Sequence, residues 1–155
     1  MGPLVARRLG WEFIDVDDAI VAQTGSTVAQ LFRDHGEAAF RQLEAELTAG
    51  LSSRHHVVLS PGGGWAAQPG SLENLPAGTA TIWLRVSPEE ALRRLGGSPV
   101  ERPLLAGADP LGALRSLAEQ RTERYTQADL VIDVEDRAAT DITGQIIEWL
   151  ERSTS

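Results

Sequence analysis

Short apolar runs alternate along the chain with segments in which apolar residues recur at helical spacing. The runs that fit buried β-strands are residues 12–15, 56–60, 79–84 and 129–133. The segments that fit amphipathic helices are residues 28–34, 37–51, a stretch beginning at 88, residues 110–125 and a terminal stretch around 142–150. Apolar strands separated by helices are typical of α/β proteins, so the pattern predicts a parallel sheet with helices on both faces.

Residues with strong local preferences mark the ends of these segments. Thr27, Ser87 and Asp109 stand where helix N-caps are expected, and the last two are each followed by a proline at the first helical position. Residues 96–109 are rich in Gly and Pro, which indicates a mobile lid. Since no repeat, low-complexity tract or linker divides the chain, we expect one domain over residues 1–155.

Composition excludes several classes of protein. The 155 residues carry 22 acidic and 14 basic side chains, a net charge of −8, and no Cys. The missing Cys excludes a disulfide scaffold, a Cys-ligated zinc site and a thiol nucleophile. A pI near 4.8 argues against a nucleic-acid binder. With neither a membrane-length apolar run nor a signal-peptide pattern, we expect a cytoplasmic monomer that contacts no membrane.

Two carboxylates follow the first predicted strand. If the strand continues through Asp15 to Asp17, its period of two places both side chains on one face at the carboxyl end of the sheet. There they can hold a hydrated Mg²⁺ and accept a proton from a hydroxyl group. The alternative is a strand end with an Asp helix cap, and for this segment alone that interpretation is the better one.

Two segments further along are candidates for binding an anion. Arg41 and Glu44 are three residues apart on a predicted helix, where the Glu can fix the guanidinium for bidentate capture of a carboxylate. An ordinary surface ion pair, worth under about 1 kcal/mol, is the better interpretation of this pair alone. Residues 60–64, Ser-Pro-Gly-Gly-Gly, allow a ligand to approach backbone amides closely. A plain glycine-rich loop explains them equally well.

Arginines in the carboxyl-terminal half are further candidates. Arg102, next to a proline in the predicted lid, is placed to swing over a transferring phosphoryl group. Arg121, four residues before Tyr125, can supply a second guanidinium for an anionic substrate. The alternative for each arginine is a solvated charge, and it is strongest for Arg93 and Arg115.

Taken together, these segments resemble the shikimate kinase family. The motifs are LGxxFxDxD, FRxxE, a strand ending in GGG, RPLL in a Gly-rich lid and RxxxY before the last strand, in that order over residues 4 to about 149. The resemblance implies a P-loop kinase fold with a five-stranded parallel sheet. It also implies ATP-dependent phosphorylation of shikimate in aromatic amino-acid biosynthesis, with shikimate and ATP as the small-molecule partners.

The resemblance also assigns roles to the substrate-side residues. It implies that Asp17 binds the ring hydroxyls of shikimate and accepts the proton from the attacking one. It implies that Arg41 and Arg121 hold the shikimate carboxylate and ring together with the backbone of Gly63 and Gly64.

On the nucleotide side, the resemblance implies that Arg102 contacts the phosphates of ATP. Arg94 and Arg137 correspond to arginines near the adenine and the lid. Asp15 is expected near the Mg²⁺ hydration shell.

The chain departs from the family at its beginning. The family starts with a strand and the loop GxxxxGK[ST], whereas this chain starts where the following helix ends, and all 14 of its basic residues are Arg. In the family the first strand lies mid-sheet, between the strands that correspond to residues 57–60 and 79–84. We therefore expect a sheet without its first central strand. We also expect these 155 residues to be an amino-terminally truncated form of a longer chain or the product of a mis-assigned start.

Three functions stay open on the sequence alone. The first is a shikimate kinase, for which we expect little or no activity from these 155 residues because the loop Lys is absent. The second is a non-catalytic module that keeps the shikimate site. The third is a related small-molecule kinase such as a gluconate kinase. Pro61 and Trp65, on either side of the glycines, depart from the family pattern in the substrate pocket.

Overall fold

The computed structural model describes residues 1–96 and 102–153. In these ranges a 3-10 helix at Pro103–Leu105 accompanies six α-helices and four β-strands. Their order is α1 (Gly2–Leu9), β1 (Glu12–Asp15), α2 (Val16–Thr24), α3 (Val28–Ser52), β2 (Val57–Ser60), β3 (Ile82–Arg85), α4 (Pro88–Leu95), α5 (Pro110–Tyr125), β4 (Leu130–Asp133) and α6 (Ala139–Ser153). No helix in the described ranges is long and apolar enough to cross a membrane.

The four strands form two parallel pairs. β1 pairs with β2, with Glu12 opposite Val57, and β3 pairs with β4, with Ile82 opposite Leu130. Within the described residues, no hydrogen-bonded ladder joins β2 to β3. The parallel α/β class is therefore confirmed, and the sheet is interrupted at the position where the sequence predicts a gap.

One hydrophobic core lies under both strand pairs. Val58 of β2 and Ile82 of β3 pack against the same buried cluster. The members of that cluster come from α1, α6 and the end of β4: Val5, Ile132, Val134, Ile142 and Ile146. The shared core holds the two pairs in one body although they are not hydrogen-bonded to each other.

A second core packs α2 against α3. Val16 and Ile20 of α2 are fully buried against Leu31 and Phe40 of α3. Because Asp17 follows Val16 and Arg41 follows Phe40, this packing brings the two polar side chains close enough for the charge of Arg41 to act on Asp17. The second core thus positions two of the predicted site residues.

Local signals set the helix ends. Thr27 and Gln30 form a capping box, with bonds of 3.1 and 2.8 Å to each other's backbone N–H groups. Ser87 and Asp109 accept from backbone N–H groups at the starts of α4 and α5. All three predicted N-caps are confirmed. α3 is kinked at Gly36 (φ 80°, ψ 169°), a backbone conformation that favours glycine.

The start of the third strand and the predicted lid differ from the sequence expectations or lie partly outside the described residues. The third strand begins at Ile82, three residues later than predicted, because Thr79 is part of a turn whose N–H donates to the carbonyl of Pro76. Residues 97–101 of the predicted lid lie outside the described residues. In its described part, Arg102 precedes the 3-10 helix and is exposed.

Candidate functional site

Asp17 lies in the first turn of α2 rather than on a strand. β1 ends at Asp15, whose carboxylate accepts hydrogen bonds from the N–H groups of Asp17 (2.9 Å) and Asp18 (3.2 Å). The prediction that both carboxylates share one strand face is therefore wrong, because the chain becomes helical at Val16. The helix-cap interpretation is correct for Asp15. Because Asp17 lies in the first helical turn, its side chain does not share a strand face with Asp15.

Asp17 faces the glycine-rich loop that follows β2. Its Oδ1 atom is buried without a hydrogen-bond partner among the described residues and lies 3.3 Å from the place where a Cβ at Gly62 would stand. Burial, and then the charge of Asp15, raise the pKa of Asp17 above its usual range, while Arg102 and Arg41 oppose the shift. A carboxylate with a raised pKa is suited to accept a proton from a bound hydroxyl group.

Arg41 is held from behind by a buried carboxylate. Glu44 is 0% exposed, and its Oε2 accepts from Nη1 of Arg41 at 2.7 Å. Burial raises the pKa of Glu44, and the hydrogen bond from Arg41 opposes the shift. The guanidinium also lies 5.3 Å from the centre of the Phe40 ring. With only 11% of its side chain exposed, Arg41 is not part of an ordinary surface ion pair.

The glycines after β2 are in close contact with functional side chains. A Cβ at Gly64 would overlap the guanidinium of Arg41. A Cβ at Gly63 would lie 3.2 Å from Nη1 of Arg121, and the carbonyl of Gly63 accepts a hydrogen bond from the hydroxyl of Tyr125. These close approaches explain why the loop is made of glycine, and they favour a functional loop over a plain turn.

We call this group of residues the acid–arginine cluster: Asp17, Arg41, Glu44, Gly63, Gly64, Arg121 and Tyr125. Oδ1 of Asp17, Nε of Arg41 and Oε1 of Glu44 are buried and make no hydrogen bond among the described residues, although Nε of Arg41 lies 3.5 Å from a carboxylate oxygen of Glu37. Such atoms are rare in folded proteins unless water or a ligand completes their hydrogen bonds. The cluster is therefore equipped to bind a small polar molecule that carries both a carboxylate and hydroxyl groups.

The arginines predicted to contact the nucleotide fall into two places. Arg102 is close enough for its charge to act on the pKa of Asp17. Arg94 and Arg137 meet at the carboxyl end of β4, where they donate to the carbonyls of Val134 (3.1 Å) and Asp133 (3.3 Å). The structure thus brings Arg102 towards the acid–arginine cluster and places the other two arginines against the carboxyl end of β4.

The predicted Mg²⁺ residue is already engaged. One oxygen of Asp15 is occupied by the cap of α2, which leaves the other available for a water-mediated contact. The described part of the chain contains no group of three or more acidic or His side chains that could hold a metal by themselves. The water-mediated contact of Asp15 with Mg²⁺ therefore stays a prediction.

Two features of the site were not predicted from the sequence. The i, i+3 spacing indicated that Glu44 could hold Arg41, but the complete burial of Glu44 had no signal in the sequence. The contact between Tyr125 and Gly63 joins residues 62 positions apart. The RxxxY pattern drew attention to Tyr125, but nothing in the sequence indicated its partner.

A parallel α/β fold that brings a carboxylate, two arginines on helices and a glycine loop together is suited to binding a small polar acid. The comparisons make this specific: the sequence model of the shikimate kinase family matches residues 1–151, so the chain belongs to the shikimate kinase family. The fold is that of the shikimate kinases, which are P-loop kinases.

Individual relatives support the same family assignment. The chain is 41% identical over 150 residues to a shikimate kinase of Synechococcus sp. (strain RCC307), covering 97% of this chain and 76% of the relative. It is 39% identical over 153 residues to the shikimate kinase of Symbiobacterium thermophilum, covering 97% and 88%.

Solved structures give the same result. A shikimate kinase from Acinetobacter baumannii in complex with shikimate superposes with a TM-score of 0.92 at 32% identity, covering 98% of this chain and 85% of that one. The shikimate kinase from Aquifex aeolicus superposes with a TM-score of 0.82 at 32% identity, covering 99% and 89%.

Proposed function

We propose that this chain binds shikimate in the acid–arginine cluster and serves the ATP-dependent phosphorylation of the shikimate 3-hydroxyl. The observation that carries the proposal is the state of Arg41. Its guanidinium is nearly buried, fixed by Glu44 and pressed against Gly64, yet its Nε makes no hydrogen bond among the described residues and meets only the half-exposed carboxylate of Glu37, at 3.5 Å. A buried guanidinium prepared in this way is suited to a ligand carboxylate.

The second guanidinium completes a clamp for the acid group. Arg121 of α5 lies against Gly63, and Arg41 of α3 lies against the neighbouring Gly64. Two cations on either side of a glycine backbone can neutralise one carboxylate and orient the ring to which it is attached. This arrangement supports the roles that the family resemblance implies for these four residues.

Asp17 supplies the acid–base chemistry of the site. Its buried, unpartnered Oδ1 can accept a hydrogen bond from a ring hydroxyl. Because burial raises its pKa, the carboxylate is a better proton acceptor than an exposed Asp. We assign it the role of orienting the attacking hydroxyl group and taking its proton.

The family uses ATP and Mg²⁺, and ATP supplies the transferred phosphoryl group when it is bound. Arg102 would contact its phosphates, Arg94 and Arg137 would lie near its adenine, and Asp15 would reach Mg²⁺ through water. The 155 residues contain no Lys and no GxxxxGK[ST] loop. The residues therefore fit the acid substrate better than they fit the nucleotide phosphates.

Isothermal titration calorimetry of the chain with shikimate tests the binding site. We expect measurable binding to the wild-type chain and loss of at least about tenfold in affinity for Arg41→Ala, because a charged hydrogen bond is worth roughly 1.5–3 kcal/mol. Arg54→Ala is the matched control, since Arg54 pairs with exposed Glu12 outside the cluster. No heat from the wild-type chain at millimolar shikimate would remove the proposal.

The same titration separates the substrates that the sequence left open. The family match favours shikimate over gluconate. Gluconate carries a carboxylate and hydroxyl groups on an open chain, so tighter binding of gluconate than of shikimate would contradict the assignment. The cytoplasmic location and monomeric state expected from the sequence stay predictions.

A further inference from the structure

Tyr125 links the last turn of α5 to the glycine-rich loop. Its hydroxyl donates to the carbonyl of Gly63, and its ring packs edge-on against Trp83 of β3, with ring centres 5.3 Å apart. Burial is the main cause that raises the pKa of Tyr125, so the hydroxyl keeps its proton and stays a donor at neutral pH. The bond is therefore a fixed connection between the helix and the loop.

This connection lies beside the two cations of the cluster. Arg121 stands one helical turn before Tyr125 on α5 and contacts the same glycine, Gly63. Arg41 belongs to a different helix, is held there by Glu44, and contacts Gly64. The separation between the two guanidinium groups thus depends on how the end of α5 is seated on the loop.

Other contacts hold α5 in place without the Tyr125 hydroxyl. Asp109 caps its start, and Arg115 pairs with Glu89 of α4. Near its end, Arg124 pairs with Glu73. The hydroxyl of Tyr125 is consequently not needed to form the helix, and its bond acts on the position of the loop relative to Arg121.

We propose that Tyr125 is a positioning residue: by holding the Gly63 carbonyl, it sets the spacing between Arg121 and Arg41 and thereby the affinity of the site for the carboxylate of shikimate. The inference rests on the proposed function, because it assigns Tyr125 to the same binding site. It acts through Arg121 and does not touch the reacting atoms.

The test is a double-mutant cycle between Tyr125→Phe and Arg121→Gln, with shikimate affinity measured by calorimetry. We expect Tyr125→Phe to weaken binding about five- to tenfold, the value of one hydrogen bond, with the melting temperature close to that of the wild type. If Tyr125 acts through Arg121, Tyr125→Phe has little further effect in the Arg121→Gln background. Thr126→Ala is the matched control, since its hydroxyl bonds to the carbonyl of Glu123 within the same helix end.

The outcomes separate this inference from the function on which it rests. If the wild-type chain does not bind shikimate, the proposed function fails and this inference fails with it. If the wild type binds and Tyr125→Phe binds equally well, only the positioning role is overturned. Additive losses in the cycle also overturn it, because a general structural effect does not depend on Arg121.

Discussion

At the scale of single residues, Asp17 combines a proposed role in proton transfer with a cost to stability. Its Oδ1 is buried with no hydrogen-bond partner in the described part of the chain, and burial raises its pKa. A carboxyl group whose pKa is higher in the folded state than in the unfolded state destabilises the fold once it ionises. This penalty is present at neutral pH and disappears in acid, where the group is protonated in both states.

We therefore expect Asp17→Asn to increase the free energy of unfolding at about pH 7 by roughly 1 kcal/mol, the scale of an unsatisfied buried polar group. The gain should shrink as the pH falls through the raised pKa of Asp17 and vanish below its ordinary value of 3.8. Urea unfolding across this pH range is the measurement. Asp18→Asn is the control because Asp18 is exposed, and an equal gain there, or a loss at Asp17, would contradict the argument.

Asp17 also shows which features of the site could not be predicted from the sequence. Motif order and the family resemblance singled out Asp17, Arg41 and Arg121 as candidates, and the structure brings these three close to the glycine loop. They did not place Asp17 correctly, because the cap formed by Asp15 starts α2 at Val16, two residues earlier than a strand through Asp17 would allow. The burial of Glu44 depends on the packing of α3 against Gly62 of the glycine loop. This contact joins segments that are distant in the sequence, so the local spacing of residues does not indicate it.

At the scale of elements, the helix caps were predictable because a capping residue and its partner lie within a few positions of each other. The ends of the strands were less predictable than the helix caps. β3 extends only as far as its pairing with β4, and that pairing is decided by residues almost fifty positions away, such as Leu130 opposite Ile82. The pairing pattern also determines which backbone groups of β2 and β3 face the gap between them.

Backbone N–H and C=O groups of successive strand residues point to opposite edges. The carbonyls of His56 and Thr81 accept from the N–H groups of Glu12 and Leu130 respectively, which fixes the edge used for pairing. It follows that two residues of each inner strand direct their N–H groups into the gap: Val57 and Leu59 of β2, and Ile82 and Leu84 of β3.

We expect the amides of these four residues to exchange with solvent deuterium at least about tenfold faster than those of their neighbours Val58 and Trp83, which face β1 and β4. Amide hydrogen exchange followed by NMR makes the comparison within each strand, so differences in burial along the chain largely cancel. Equal protection on alternating residues would show that a further segment or a second copy of the chain pairs with these edges.

At the scale of the whole molecule, the described residues offer more contacts for the acid substrate than for the phosphates of ATP. The acid–arginine cluster gathers residues from α2, α3, α5 and the loop after β2 at the proposed site of the acid substrate. For the transferring phosphoryl group, the described contacts offer Arg102 near Asp17. The full sequence carries 14 arginines, no lysine and a net charge of −8, so the overall field does not attract a polyanionic nucleotide.

Phosphoryl transfer depends on positioning and on stabilising charge at the phosphates, and removal of one preorganised donor already slows such reactions on the order of a hundred- to a thousandfold. We therefore expect these 155 residues to release ADP from ATP and shikimate at least about a thousandfold more slowly than the shikimate kinase of Symbiobacterium thermophilum, the 39% identical relative, in the same coupled assay with Mg²⁺. Shikimate binding should persist, so slow turnover in a chain that binds shikimate separates the loss of phosphate contacts from a loss of fold. Turnover comparable to that of the relative would show that arginines of this chain replace the loop lysine, and Arg102→Ala would then be the first variant to examine.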